Sequence, residues 1–219
     1  GQQKKGAKIS TTQERQIVVK TLFGEQEVRY REWVRNNVKN VDLLTEGRVG
    51  YLHLPDMSTH GIAEFHRGYL AQVDREGLIV DARYNTGGMV SPLILEKLAH
   101  RHLGYDVPRW GSPESYPYHT LRGHLIVIAN QFTGSDGDMF TTSFRQLKLG
   151  PLVGKRTWGG VIGIDGRYQL VDGTTTTQPQ YSIWFHHAGW SVETFGVNPD
   201  IEVDDTPQSN VKNEDPLLT

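Results

Sequence analysis

The order of elements between Arg48 and Gly150 constrains the fold most: three times an apolar, strand-like run passes through a short turn into an amphipathic helix. RVGYLHL precedes GIAEFHRGYLAQV, in which Ile62, Phe65, Tyr69, Leu70 and Val73 share one helical face. GLIVDAR precedes the loop YNTGGMV and the helix SPLILEKLAHRHLG, with Ser91 as N-cap, Pro92 at the first helical position and Gly104 as the stop. HLIVIAN precedes QFTGSDGD and then MFTTSFRQLKLG, whose Met139, Phe140, Phe144 and Leu147 fall on one face. The pattern predicts an α/β fold, a mixed sheet with packed helices. Strands near 48–54, 77–83 and 124–129 lie side by side, and helices near 61–74, 92–103 and 137–148 pack on them. The expected core is Leu52, Ile62, Phe65, Leu78, Ile79, Val80, Leu98, Leu125, Val127, Ile128 and Phe140.

The flanks read differently. The first ten residues carry Lys4, Lys5 and Lys8 with no acid, a loose basic arm. RQIVVKTLF (Arg15 to Phe23) is rich in β-formers and is expected as a terminal strand, and Arg29 to Val41 mixes charge with Trp33 and Val34. Beyond Pro151, glycine-rich turns separate short strands such as YQLV and YSIWF, and the tail after Ile201 is acidic.

Composition removes several classes of function. There is no cysteine among 219 residues, so thiol nucleophiles, disulfides and zinc-thiolate sites are excluded. A formal charge of −2 gives no basic excess for a phosphate backbone, so nucleic acid is not an expected partner. No apolar run approaches the roughly 20 residues of a membrane span, and GQQKKGAKIS lacks a signal-peptide core. A cytoplasmic protein is expected, with no membrane partner. Neither G-x-x-x-x-G-K-[ST] nor G-x-G-x-x-G is present, and no histidine pair has H-E-x-x-H spacing, so no cofactor and no metal are expected.

Two turns remain as candidate chemistry. In NQFTGSDGD, Ser135 sits between an apolar strand and a helix start, where unpaired N–H groups and a partial positive charge suit a nucleophile and its oxyanion. Thr133 occupies the first glycine position of a G-x-S-x-G elbow, so that motif is not matched, and an ordinary N-cap serine is the alternative. Asn85-Thr86-Gly87-Gly88 ends another strand, and its N–H groups could complete an oxyanion hole or simply close a turn.

Four segments, IVDARYNTGGMVS, ANQFTGSDGDMF, GKRTWGGVIG and SVETFGVNPDIEV, in this order and at these intervals, resemble the catalytic core of tricorn-type peptidases, within the C-terminal processing peptidase superfamily of serine peptidases. The resemblance runs from about Arg48 to the tail. It implies a ClpP/crotonase-like core with Ser135 as nucleophile, the N–H groups of Gly88 and Asp136 as oxyanion donors and Glu193 as the acidic member of a catalytic tetrad. Asp106, in GYDVP, matches the residue that favours a basic P1 side chain and reaches across from a neighbouring subunit, which implies a homo-oligomer acting on peptides.

The family's general-base histidine, preceded by serine, belongs to a helical domain upstream of a PDZ domain and has no counterpart here. Of the nine histidines, His60 is the least unsuitable stand-in, and none is promoted. Residues 1–40 are therefore expected to be a basic arm and the remnant of a PDZ-like domain, and 41–219 the catalytic core of a longer peptidase. Two other readings compete: a non-catalytic peptide-binding or assembly module, and a crotonase-like acyl-CoA enzyme, which would have no need of Ser135.

Overall fold

The computed structural model describes residues 17–19, 21–212 and 214–219. The elements in chain order are α1 (Gln26–Leu44), β1 (Val49–His53), α2 (Thr59–Leu70), β2 (Gly77–Asp81), α3 (Ser91–Ala99), β3 (Gly104–Asp106), β4 (Glu114–Tyr116), β5 (His124–Ala129), α4 (Asp136–Gln146), β6 (Leu152–Gly154), β7 (Gly163–Gln169), β8 (Thr175–Tyr181), α5 (Val192–Phe195), β9 (Ile201–Glu202) and α6 (Pro207–Lys212).

The central sheet has the order β1-β2-β5-β6-β9 and every pairing in it is parallel. Antiparallel pairing is confined to two separate hairpins, β3-β4 and β7-β8. The mixture expected within one sheet is thus divided among three. Parallel strands are covered on both faces, which is why β1, β2 and β5 are apolar runs rather than alternating ones.

The three strand–turn–helix units appear where the sequence places them. Nine of the eleven expected core residues are buried, and Ile62 and Ile79 are half-buried. On α2 the expected stripe holds at Phe65 and Tyr69, but Leu70 faces solvent at the last turn, as Leu147 does just past the end of α4.

Other boundaries move. Helix α3 ends at Ala99 with His100 in an extended conformation, so Gly104 begins β3 instead of stopping the helix. Val90 takes the N-cap position and Ser91 is the first helical residue. Residues 17–19 and 21–23 form no strand, and Arg15, Gln16 and Lys20 lie outside the described residues. YQLV reaches past the end of β7 at Gln169, and YSIWF shares only Tyr181 with β8.

Helix α1 runs through the division expected between residues 40 and 41 and packs on the sheet. Val41 joins Tyr51, Ile128 and Leu218 in a second apolar cluster. Asn37 donates to the Tyr51 hydroxyl, which donates to Asp81 at the end of β2. Asp81 is fully buried and takes three contacts from the Arg83 guanidinium, which also pairs with Asp215 near the C-terminus. Burial lowers the Arg83 proton affinity, but Asp81 and Asp215 outweigh it and hold the guanidinium charged. This network, on one side of the sheet, fixes the strand end from which the Asn85–Gly88 turn departs.

Candidate active site

Chain direction creates the site. In a parallel sheet all strand C-termini lie at one edge, so the turns after β2 and β5, which are neighbours, must face each other. They are bonded directly: the Gly134 N–H donates to the Asn85 carbonyl at 2.9 Å. Asn85 is fully buried, its Nδ2 donating to the Leu54 carbonyl and its Oδ1 accepting from the Gly87 N–H.

Ser135 occupies the N-cap position of α4, but its side chain makes no capping bond. Its backbone has φ 55° and ψ −120°, a conformation that L residues rarely adopt and that stores strain. The serine is therefore not the ordinary capping residue of the alternative reading. Thr133, which breaks the elbow motif, is a buried stitch: its hydroxyl donates to the Ala82 carbonyl and accepts the Asn130 N–H.

Two glycines permit the approach. A Cβ on Gly87 would lie 2.5 Å from the Ser135 Cβ and 3.0 Å from its Oγ, so the glycine backbone rests against the serine side chain. Gly88 has φ 151°, and a Cβ there would fall 1.9 Å from the Met57 carbonyl oxygen. Among the described residues no acceptor takes the N–H of Gly88 or of Asp136. The latter is one of the unpaired donors at the start of α4. The Asp136 carboxylate turns away and accepts both the N–H and the hydroxyl of Ser91, joining the starts of α3 and α4.

Glu193 makes no direct bond to Ser135. Its Oε2 accepts the N–H groups of Val161 and Ile162 at 2.7 and 3.0 Å. The same loop is held from the other end by Asp138, which accepts the Gly159 and Gly160 N–H groups at 2.9 and 3.3 Å. Burial pushes the Asp138 carboxyl above its ordinary value in spite of these bonds. Asp138 was not singled out in the sequence. Its signal was a second aspartate, three residues after the serine, on a helix face that had to be buried.

Asp106 is exposed on the β3-β4 hairpin, opposite Glu114, and the fold does not bring it to Ser135. His60 on α2 pairs with Glu64 of the same helix and with Asp56 just before it. His186 and His187 lie in a turn, and His100 and His102 lie beyond α3. No group of three or more histidine, aspartate or glutamate side chains among the described residues is placed to hold a metal, and no helix among them is long and apolar enough to cross a membrane. A cavity of about 690 Å³ behind α4 includes Arg145, His187 and Asp200 but none of the turn residues, so it is set apart from the site by position.

The chain belongs to peptidase family S41, whose profile matches residues 48–203. It is 50% identical over 200 residues to the tricorn protease of Thermoplasma volcanium, covering 91% of this chain and 19% of that protein. It is 50% identical over 204 residues to tricorn protease homolog 1 of Streptomyces coelicolor, covering 93% and 19%. A crystal structure of the tricorn protease superposes with a TM-score of 0.90 at 45% identity, over 93% of this chain and 20% of that one. The chain thus spans about a fifth of the length of the relatives it matches.

Proposed function

We propose that the chain is the catalytic core of a serine peptidase that hydrolyses peptide bonds in oligopeptides. The observation that carries this reading is the strained, uncapped Ser135 set against Gly87, with two unpaired N–H groups on the flanking residues. In the reaction Ser135 Oγ attacks the peptide carbonyl carbon and gives its proton to a general base. The N–H groups of Gly88 and Asp136 hold the oxyanion of the tetrahedral intermediate. The base then returns the proton to the leaving amine, and water, attacking in turn, releases the acid product.

Glu193 is assigned to the polar array that orients the proton-transfer groups, acting through the 159–162 loop. The base is assigned to a serine–histidine pair in sequence preceding this core, with residues 1–40 a basic arm and the remnant of a PDZ-like domain, joined to 41–219 by the continuous helix α1. Asp106, on its projecting hairpin, suits a role in the pocket of a neighbouring copy, where its charge would favour lysine or arginine at P1. This assembly is assigned to the cytoplasm. The geometry weighs against the crotonase-like alternative, which gives no reason for a strained serine at the turn.

The test is hydrolysis of matched peptides by the chain alone and by the chain joined to the upstream sequence of its gene. The joined protein should cleave after basic residues by orders of magnitude faster. Ser135→Ala should abolish cleavage, and Asp106→Ala should reduce the preference for basic P1 residues while sparing uncharged ones. Cleavage unaffected by Ser135→Ala refutes the reading.

A further inference from the structure

The proposed mechanism leaves unused a cavity of about 480 Å³ lined by the rings of Tyr84, Phe132 and Trp158, by Asn85 and Gln131, and by Thr86 and Gly134 of the two turns. That size lies within the range of ligand sites, roughly 300–1,000 Å³. The walls are built rather than incidental. The Asn130 side-chain oxygen accepts the N–H groups of both Tyr84 and Phe132 at 3.1 Å, and the two rings stack with centroids 5.6 Å apart and planes 16° apart. Tyr84 is held at φ 62°, a conformation that costs a bulky residue about 1–3 kcal/mol. The Trp158 N–H donates to the Thr133 carbonyl at 2.9 Å, and its ring lies so close over Gly134 that a Cβ there would come within 2.8 Å. The rings nonetheless remain 50%, 58% and 65% exposed. The fold spends strain and buried hydrogen bonds on keeping apolar surface in water beside Ser135, where burying it would be favourable.

Its position in the turns identifies the occupant. Thr86 and Gly134 immediately precede Gly87 and Ser135, so a peptide whose carbonyl reaches Ser135 Oγ has a neighbouring side chain over this cavity. No side chain lining it is charged; Arg83, Lys155 and Asp204 line an adjoining cavity on the other side of Tyr84 and Phe132, which border both. We propose that the cavity is a substrate subsite for a large uncharged apolar side chain close to the scissile bond. The proposal rests on the peptidase reading and adds a second selectivity to the charge selection assigned to Asp106.

The experiment titrates the chain with short blocked peptides that differ at one position, Phe, Leu, Ala or Lys, followed by ¹H–¹⁵N NMR. Phe and Leu peptides should bind about tenfold more tightly than Ala or Lys peptides and shift the amides of Tyr84, Phe132, Gly134 and Trp158. Trp158→Ala and Phe132→Ala should each remove the preference, and Trp158→Phe should retain it. Should Trp158→Ala fail to fold, Phe132→Ala, which removes an exposed ring, gives the same answer. Equal binding of the four peptides, a preference for Lys, or a Phe preference that survives substitution overturns the proposal. Because the readout is binding, its failure beside Ser135-dependent cleavage removes the subsite alone. An intact preference without such cleavage removes the peptidase reading.

Discussion

The carbonyl of Asn85 accepts the N–H of Gly134 at 2.9 Å, and this bond sets the turn that carries Gly88 against the turn that carries Ser135. The Asn85 side chain completes the clamp by bonding Leu54 and Gly87. Asn85→Ala leaves a buried carbonyl and an N–H group without partners, and should destabilise the chain by about 2–4 kcal/mol in urea unfolding. In the active assembly it should lower kcat with little change in KM, because the groups it displaces act on the oxyanion.

Arg83 and Asp81 form a buried pair behind the same turn. Arg83→Met leaves Asp81 with only the Tyr51 hydroxyl as a side-chain partner from outside its own strand, and should cost about 3–5 kcal/mol. The double variant Asp81→Asn, Arg83→Met should recover part of that loss, which denaturant unfolding of all three variants measures.

Much of this was legible in the sequence. Apolar runs of strand length identified β1, β2 and β5, and the glycines after two of them marked the turns that meet. The parallel register was not legible, because periodicity reports burial and not direction. The limits of α3 moved because Gly104 was needed by a hairpin and not by a helix end. Asp138 escaped notice, and Asn85 was noted only as part of its turn, because Asp138 bonds backbone N–H groups some twenty residues away and the Asn85 side chain reaches the Leu54 carbonyl. Asp106 and Glu193 were reached through resemblance, since no local pattern distinguishes them from other surface acids.

Two buried groups should give opposite pH signatures. Burial holds His53 below its ordinary value of 6.5, so its contribution to stability is present above that pH and is lost as pH falls through the lowered value. Asp138 is raised above 3.8, so its contribution is present below that pH and is lost as pH rises through the raised value. His53→Gln should flatten the acid side of a stability–pH curve. Carbon-detected titration should find the Asp138 midpoint above 3.8, and Asp138→Asn should remove the loss of stability on its alkaline side.

Gly88 tests the turn itself. With φ 151° and the Met57 carbonyl oxygen 1.9 Å from any Cβ, Gly88→Ala forces the turn to move. Unfolding should show a loss of about 2–4 kcal/mol, within the range for substitutions at backbone positions closed to a side chain.

The central claim is that Ser135 is the nucleophile, and covalent trapping tests it most directly. The chain joined to its upstream sequence is incubated with a fluorophosphonate, and the adduct is located by intact mass and peptide mapping. A single adduct on Ser135, absent in Ser135→Ala and formed in step with loss of peptide hydrolysis, is the predicted result. An adduct on another residue that accompanies the loss of hydrolysis, or one that persists in Ser135→Ala, would contradict it.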